Sequence, residues 1–223
     1  VVAMSASSIF AQGDFFWSTQ GLNDGATNSA AELTLNPGDT GSLFLYYTTN
    51  GPAMSEMSVG AFLDVAQSLS GVVNFTGAET FDFQVEIAGT PIGWRWQDGG
   101  MMGAGGNAGE TGTVSNDFID EWHAFTVTGG DGIINANTGS PFTDQGYDAG
   151  ADAFLFGRID FEAVGQGSTD IGLAAGAGDI VNGPDSIAGI VAFGNATINV
   201  VPEPTSAALL SLGLIGLVAR RRR

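Results

Sequence analysis

The stretch that decides the fold is GRIDFEA, residues 157–163. Apolar Ile159, Phe161 and Ala163 alternate with polar or charged residues, and this period of two places alternate side chains on opposite faces of a β-strand. Residues 81–87, FDFQVEI, show the same alternation. Residues 43–47 are apolar on both faces, as expected of a central strand or of one covered by a loop.

Similar short segments recur along the chain, separated by turns rich in Gly, Asn, Asp and Pro. They are residues 31–35, 59–65, 71–75, 124–128, 170–173, 187–193 and 196–201. Their spacing of about 10 to 15 residues is typical of a β-sandwich or β-barrel, so we predict an all-β domain. The Gly- and Asp-rich residues 97–112 and 129–153 are expected to form long loops.

One inner segment, residues 116–125, favours a helix instead. Its apolar residues lie at i, i+1, i+4 and i+7 counted from Phe118, which is one face of an α-helix. Ser115 or Asn116 is available as the N-cap. The pattern predicts one or two helical turns on the rim of the domain.

The charge and composition narrow the classes of function. The chain of 223 residues has a formal net charge of −18 and contains no Cys. It also has no Lys, so its six basic residues are all Arg, and this scarcity excludes nucleic-acid binding, which needs cations on phosphates. The lack of Cys excludes disulfides and thiol chemistry. Stability must therefore come from a hydrophobic core.

Few residue types are available for catalysis. His123 is the only histidine, which excludes a His-rich zinc site and leaves one candidate base for a Ser-His-Asp arrangement. A metal site of His123 with Asp117, Asp120 and Glu121 is one interpretation, and a surface histidine among solvated acids is the simpler one. Any two of 24 acids could supply the carboxylate pair of a glycosidase, so their presence is uninformative. We predict no enzymatic activity.

Two features indicate ligands. The first is a Gly-containing loop with three aspartates four residues apart, Asp144, Asp148 and Asp152. Ca²⁺ prefers carboxylate ligands, so this loop predicts a calcium site. Aspartates that are simply solvated in a turn are the alternative. Trp94 and Trp96 project from one face of a strand, where they could stack on a sugar ring or fill the core. No other cofactor is predicted.

The C-terminal segment has three parts in order. VPEP, residues 201–204, is followed by an uncharged apolar run, residues 205–219, and then by arginines. The two prolines prevent a helix from continuing into the run from upstream, so a helix can start only near Thr205. Fifteen residues at about 1.5 Å each span about 22 Å, less than the hydrocarbon core of about 30 Å. This favours transient insertion over a permanent membrane anchor, which is the alternative.

This tail, residues 201–223, resembles the PEP-CTERM sorting signal of Gram-negative bacteria, which an exosortase reads. Its motif is Pro202, Glu203 and Pro204, and its cytoplasmic stop is formed by Arg220, Arg221, Arg222 and Arg223. The resemblance implies export through the inner membrane, cleavage at or near the motif, and delivery to the cell surface or extracellular matrix. Residues 1–11 resemble the trailing half of a signal peptide, with a buried N-terminal strand as the alternative.

The stretch LNPGDT, residues 35–40, resembles the turn that opens cohesin-type and related carbohydrate-binding-like sandwiches. Residues 155–171 are similar to their penultimate strand pair, and residues 194–200 to their closing strand. The resemblance implies a single jelly-roll-like β-sandwich of about eight or nine strands, here over residues 12–200, and leaves the function open. Residues 93–150 depart from the family pattern by a Gly-rich insertion.

These features predict a non-catalytic, exported surface or matrix protein. Its role would be adhesion to extracellular polysaccharide or to another surface protein, with Ca²⁺ bridging its carboxylates to neighbouring polyanions. The alternatives are a surface polysaccharide hydrolase that uses a carboxylate pair and a structural matrix protein that associates with itself.

Overall fold

The structure is a computed structural model, and every regular element in its described part is a β-strand. No helix in this part is long and apolar enough to cross a membrane. The predicted helix at residues 205–219 lies outside the described residues. The structure describes residues 13–27, 29–49, 59–81, 84–87, 90–94, 113–125, 142–144, 146–182, 185–186 and 191–202.

The first main sheet has six strands, numbered here in chain order along the whole protein. They are β1 (Gly13–Ser18), β3 (Thr40–Thr49), β5 (Val73–Thr80), β10 (Tyr147–Asp148), β11 (Ala153–Ala163) and β14 (Val191–Phe193). Their order is β10-β11-β3-β1-β14, and β5 also pairs with β11. The long strand β11 is therefore central, with β3 on one side and β5 and β10 on the other.

The second main sheet also has six strands. They are β2 (Ala31–Leu35), β4 (Val59–Gln67), β8 (Phe118–Phe125), β12 (Gly167–Asn182), β13 (Asp185–Ser186) and β15 (Ala196–Val200). Their order is β2-β15-β12-β4-β8, and β13 also pairs with β12. Strand β15 lies between β2 and β12, so the last strand before the tail is an inner strand of this sheet.

A third, small sheet has the order β7-β6-β9. It consists of β6 (Gln84–Ile87), β7 (Thr90–Trp94) and β9 (Phe142–Asp144). The described residues thus contain 15 strands rather than about eight or nine, because short pieces such as β10 and β13 pair separately beside longer strands.

The core lies between the two main sheets and confirms the alternation read from residues 157–163. Ile159, Phe161 and Ala163 are fully buried, whereas the residues between them are half-buried or exposed. Trp17 of the first sheet stacks on Trp122 of the second, with ring centroids 6.3 Å apart. The predicted all-β sandwich is therefore confirmed.

Strand β3 is buried on both faces, as its apolar sequence predicted. On its outer face Tyr46 and Phe16 stack at 5.5 Å and pack with Leu155 and Ala26 in a second hydrophobic cluster. Ala26 and Leu22 belong to the segment that follows β1 and covers this face. The apolar outer face of a central strand is thus shielded by a loop.

Burial of Tyr46 gives a testable pH dependence. Its hydroxyl is removed from water and lies near the carboxylates of Asp148 and Asp24, and burial, followed by these two charges, raises its pKa well above the usual value. The unfolded chain loses this proton near pH 10, whereas the folded chain keeps it to higher pH. The contribution of Tyr46 to stability is therefore complete below about pH 10 and is lost as the pH rises further.

We expect the thermal midpoint of Tyr46→Phe to fall less than that of the unmodified chain between about pH 9 and pH 11. Circular dichroism melts across this range measure the difference. Tyr147→Phe, at a half-exposed tyrosine, is the matched control. Equal pH dependence of Tyr46→Phe and the unmodified chain would contradict the assignment.

The helix predicted for residues 116–125 is wrong, because this segment forms strand β8. Ile119 pairs with Val65 and Trp122 with Leu63, so two residues of β8, Asp120 and Glu121, lie opposite Asp64 alone. This β-bulge lets Ile119 and Trp122 both point into the core although they are three residues apart. A spacing of three between buried residues is also the helical signal, which explains the error.

Candidate functional site

The tail leaves the sandwich at the end of β15. Ala196, Ile198 and Val200 are buried, and the strand pairs with both of its neighbours. The contact continues one residue further, since the Val201 N–H donates to the Leu35 carbonyl oxygen at 2.9 Å. The folded domain therefore extends to the first proline of the predicted motif without a spacer.

Proline chemistry ends the strand at this point. Pro202 has no backbone N–H and cannot extend the ladder, and both Val201 and Pro202 are exposed. Glu203, Pro204 and the arginines Arg220 to Arg223 lie outside the described residues. The described part of the motif, Pro202, therefore lies beyond the end of β15 and outside the sheet.

Of the two described carboxylates in the predicted calcium loop, that of Asp148 is buried and only 2% exposed. Its Oδ2 accepts a hydrogen bond from the Asn23 amide at 2.8 Å, and its Oδ1 accepts from the amides of Gly150 (2.8 Å) and Ala151 (3.1 Å). This carboxylate ties the loop before β11 to the segment after β1.

The two other predicted calcium ligands differ from Asp148. Asp152 is exposed and accepts a hydrogen bond from the Tyr147 hydroxyl at 2.6 Å. Asp144 ends β9, and its side chain lies outside the described residues. Calcium binding by Asp144, Asp148 and Asp152 stays a prediction.

Asp148→Ala is expected to lower the free energy of unfolding by about 2–4 kcal/mol, because three amide donors lose their acceptor. Urea denaturation followed by tryptophan fluorescence measures this loss. Asp152→Asn, which suits the left-handed backbone at this position (φ 51°), removes the charge that accepts the Tyr147 hydrogen bond and should cost less than about 1 kcal/mol. Equal losses in the two variants would show that Asp148 does not hold the loop.

A second group of acids is brought together by the bulge in β8. Asp64, Asp120 and Glu121 each offer a carboxylate oxygen, and these oxygens lie within 4.8 Å of one another. Glu121 has a left-handed backbone with a φ of 57°, and its N–H donates to Asp64 Oδ1 at 3.1 Å. Three clustered carboxylate oxygens are a donor set that Ca²⁺ accepts.

The carboxylate of Glu121 is itself anchored. It accepts hydrogen bonds from the backbone amides of Ala177 and Gly178, in the part of β12 where the register to β4 shifts. Strand β4 lies between β8 and β12, so Glu121 reaches across it. This side chain links three adjacent strands of the second sheet.

His123 is not among the residues that the bulge groups together, although it is one of the predicted metal ligands. Its Nδ1 lies 2.9 Å from the Glu121 carbonyl oxygen, and its ring stacks on Phe62 at 5.2 Å. Asp117 accepts a hydrogen bond from Gln67 Nε2 at 2.6 Å. Asp120 and Glu121 are predicted from the sequence as possible metal ligands, but Asp64 is not. Only the register between β4 and β8 brings Asp64 next to them.

A polar cavity of about 240 Å³ opens between the end of β1 and the start of β2. Its lining is rich in hydroxyl groups, and those of Thr27 and Ser29 lie 2.8 Å apart. Glu32 accepts a hydrogen bond from Asn199 Nδ2 at 2.7 Å. The polar lining residues are Ser18, Thr19, Gln20, Thr27, Ser29 and Glu32. No sequence motif marks them, because the cavity forms only when the covering segment folds over β1.

The aromatic pair proposed for sugar stacking is not tested by the structure. Trp94 ends β7, but its side chain lies outside the described residues, and so does the whole of Trp96. Stacking of a sugar on Trp94 and Trp96 stays a prediction.

Comparison with known proteins identifies the tail. Residues 200–223 match the PEP-CTERM protein-sorting motif, and this match includes Pro202, Glu203, Pro204 and the four arginines. The motif indicates export, sorting to the cell surface and processing by an exosortase. No curated protein matches the chain.

Among solved structures, the chain is similar to cohesin modules. A type I cohesin–dockerin complex from Clostridium thermocellum matches with 11% identity over 89% of this chain and 100% of the other, with a TM-score of 0.35. A cohesin in complex with a dockerin from Acetivibrio cellulolyticus matches with 11% identity over 85% and 99%, with a TM-score of 0.40. A non-cellulosomal cohesin from Archaeoglobus fulgidus matches with 9% identity over 89% and 97%, with a TM-score of 0.32. The predicted resemblances to the sorting signal and to cohesin modules are both confirmed.

Proposed function

We propose that this chain is an exported surface protein whose sandwich serves as a non-catalytic module that binds extracellular polysaccharide. The direct continuation of an inner strand, β15, into the residues that match the sorting motif supports export of the folded sandwich, and the polar cavity beside β2 is the observation that carries the ligand. In this scheme the tail enters the inner membrane of a Gram-negative-type bacterium, an exosortase cuts at the motif, and the sandwich reaches the cell surface or matrix.

The polar cavity supports a saccharide as the ligand. Its hydroxyl groups both donate and accept hydrogen bonds, as the hydroxyls of a sugar do. Its volume of about 240 Å³ is of the order of one sugar residue, so a chain would be bound at one unit or at its end. Another surface protein is the second ligand class.

The charge of the chain favours a role for calcium. Arg158 is the one arginine in the described part, and it is paired with Glu79 at 3.0 Å and Asp160 at 3.1 Å. An anionic polysaccharide would be repelled by the net charge of −18 unless a cation bridged the two. We therefore expect anionic polysaccharides to bind more tightly with Ca²⁺ than with a chelator.

Calorimetric titration of the processed protein with neutral and anionic polysaccharides tests the proposal. Thr27→Val combined with Ser29→Ala removes two hydroxyls from the cavity and should weaken binding about 10- to 30-fold, since each hydrogen bond contributes about 1 kcal/mol. Thr34→Val, at an exposed position on β2 outside the cavity, is the control. Unchanged affinity in the double variant, or no polysaccharide binding at all, would refute it.

The same preparation separates the alternatives. Release of new reducing ends from the polysaccharide would favour a hydrolase, for which the carboxylates of Asp64, Asp120 and Glu121 are the acids that the structure groups together. Growth in mass by light scattering upon Ca²⁺ addition, without any polysaccharide, would favour a self-associating matrix protein.

A further inference from the structure

Exposed large apolar side chains in the described residues are concentrated at one end of the sandwich. Leu69 is 53% exposed, and Val164 and Val201 are each 41% exposed. Leu69 lies in the turn between β4 and β5, Val164 in the turn between β11 and β12, and Val201 directly after β15. We call Leu69, Val164, Val201 and Pro202 the exit face, because the sorting tail leaves the sandwich there.

These positions are held next to one another by backbone contacts. The Val164 N–H donates to the Val72 carbonyl oxygen at 2.9 Å, and Gly165 lies so close to the Gly71 carbonyl oxygen that a Cβ would clash. Gly167 pairs with Val200, and a Cβ built on Gly167 would lie 3.9 Å from Leu69 Cδ2. The two turns and the end of β15 therefore form one continuous surface.

The exit face is also free of charge, in contrast to the rest of the chain. Residues 68–73, 164–169 and 200–202 contain no ionisable side chain, although the protein has a net charge of −18. Three acids border it. Asp39 accepts hydrogen bonds from the Asn36 backbone and side-chain amides at 2.8 and 3.1 Å, Asp170 accepts one from the Thr197 hydroxyl at 2.8 Å, and Glu162 is exposed on β11. An uncharged apolar surface can enter the interfacial layer of a membrane, whereas carboxylates would be repelled by anionic lipid.

Chain length places this surface at the membrane. The apolar run begins at Thr205, three residues after Pro202, and three residues span at most about 11 Å. The headgroup layer of each leaflet is about 5–7 Å thick. With the run in hydrocarbon, Pro202 can lie at most about 4–6 Å beyond the headgroup layer, so the exit face is held at this layer or directly next to it.

We propose that the exit face rests on the lipid headgroup layer of the membrane until the tail is cut, so that cleavage occurs at the lipid surface. This inference rests on the proposed insertion of the tail. It assigns a role to the three exposed apolar residues, which otherwise contribute nothing to the core. Cleavage frees the sandwich because the exit face alone is too small to retain it.

Site-directed labelling tests this inference, since the chain has no Cys and each introduced cysteine is unique. The full chain carrying Leu69→Cys is labelled with an environment-sensitive fluorophore and reconstituted into phosphatidylethanolamine–phosphatidylglycerol vesicles that contain brominated lipid. Ala149→Cys, an exposed turn position before β11, is the control. It lies at the opposite end of β11, about 33 Å from the exit face. Val164→Cys provides a second position on the exit face if Leu69→Cys does not fold.

We expect the exit-face label to be quenched at least threefold more strongly than the label at position 149, and this difference to vanish once the tail is removed. Flotation of the vesicles reports insertion separately. A chain that floats but shows equal quenching at both positions would overturn the inference and leave insertion intact. A chain that does not float would overturn both. If the label at position 69 is shielded from water only in membranes that contain an exosortase, the exit face contacts the enzyme, and the proposed lipid contact is overturned.

Discussion

Gly157→Ala is expected to lower the free energy of unfolding by at least about 3 kcal/mol, a large part of the about 5–15 kcal/mol that stabilises a domain. A Cβ at this position would clash with the Glu79 carbonyl oxygen and lie 2.6 Å from Cζ2 of Trp122. Neither group can move away easily. Gly157 pairs with Leu45 on one side and Thr80 on the other, so its backbone is held by two strands.

The Trp122 ring is held as firmly as the backbone. It is fully buried, packs edge-on against Phe156 at 4.9 Å, and donates its Nε1 proton to Thr80 Oγ1 at 3.0 Å. Displacing it would disturb the aromatic contact with Trp17 that joins the two sheets. The cost of the added methyl group is therefore spread over the centre of the core.

Gly77→Ala is the matched control, because Gly77 lies on β5 next to the same strand. A Cβ there would be 3.9 Å from Asp160 Oδ2, an ordinary contact, and the change should cost less than about 1 kcal/mol. Urea denaturation of the two variants gives the comparison. If Gly157→Ala were as stable as Gly77→Ala, the close packing of β11 against Trp122 would be refuted.

Replacing Pro202, Glu203 and Pro204 by alanine is expected to abolish processing in a host that has an exosortase. The cleaved extracellular form should fall below about one-tenth of its normal amount, and the full-length chain should accumulate at the membrane. Intact mass analysis of the extracellular and membrane fractions measures both species. The physical reason is that the motif begins directly after the last ladder contact, at Val201, and its first residue, Pro202, is exposed where an enzyme can reach it.

The fold should survive this change, because β15 ends at Val200 and Pro202 is exposed. Circular dichroism of the variant should match that of the unmodified chain. Ser211→Ala, which leaves the motif and the charge of the tail unchanged, is the control for processing. Normal surface delivery of the triple variant would contradict the role of the motif.

Local features of the fold could be predicted from the sequence. Residues 31–35 were predicted as a strand and form β2 with the same bounds. The alternation at residues 157–163 and the two apolar faces of residues 43–47 also agree with the structure. These features depend on neighbours along the chain, since alternation and turn chemistry act over a few residues. The sorting motif is equally local and was recognised for the same reason.

The sequence by itself therefore determined the all-β class, the main strands and the sorting tail. Only the tertiary structure decided that residues 118–125 form a bulged strand, that Asp64 joins Asp120 and Glu121, and that Leu69, Val164 and Val201 lie at the same end of the sandwich. These juxtapositions depend on strand register between segments far apart in the chain. Register is set by packing of the whole core, which no local pattern contains.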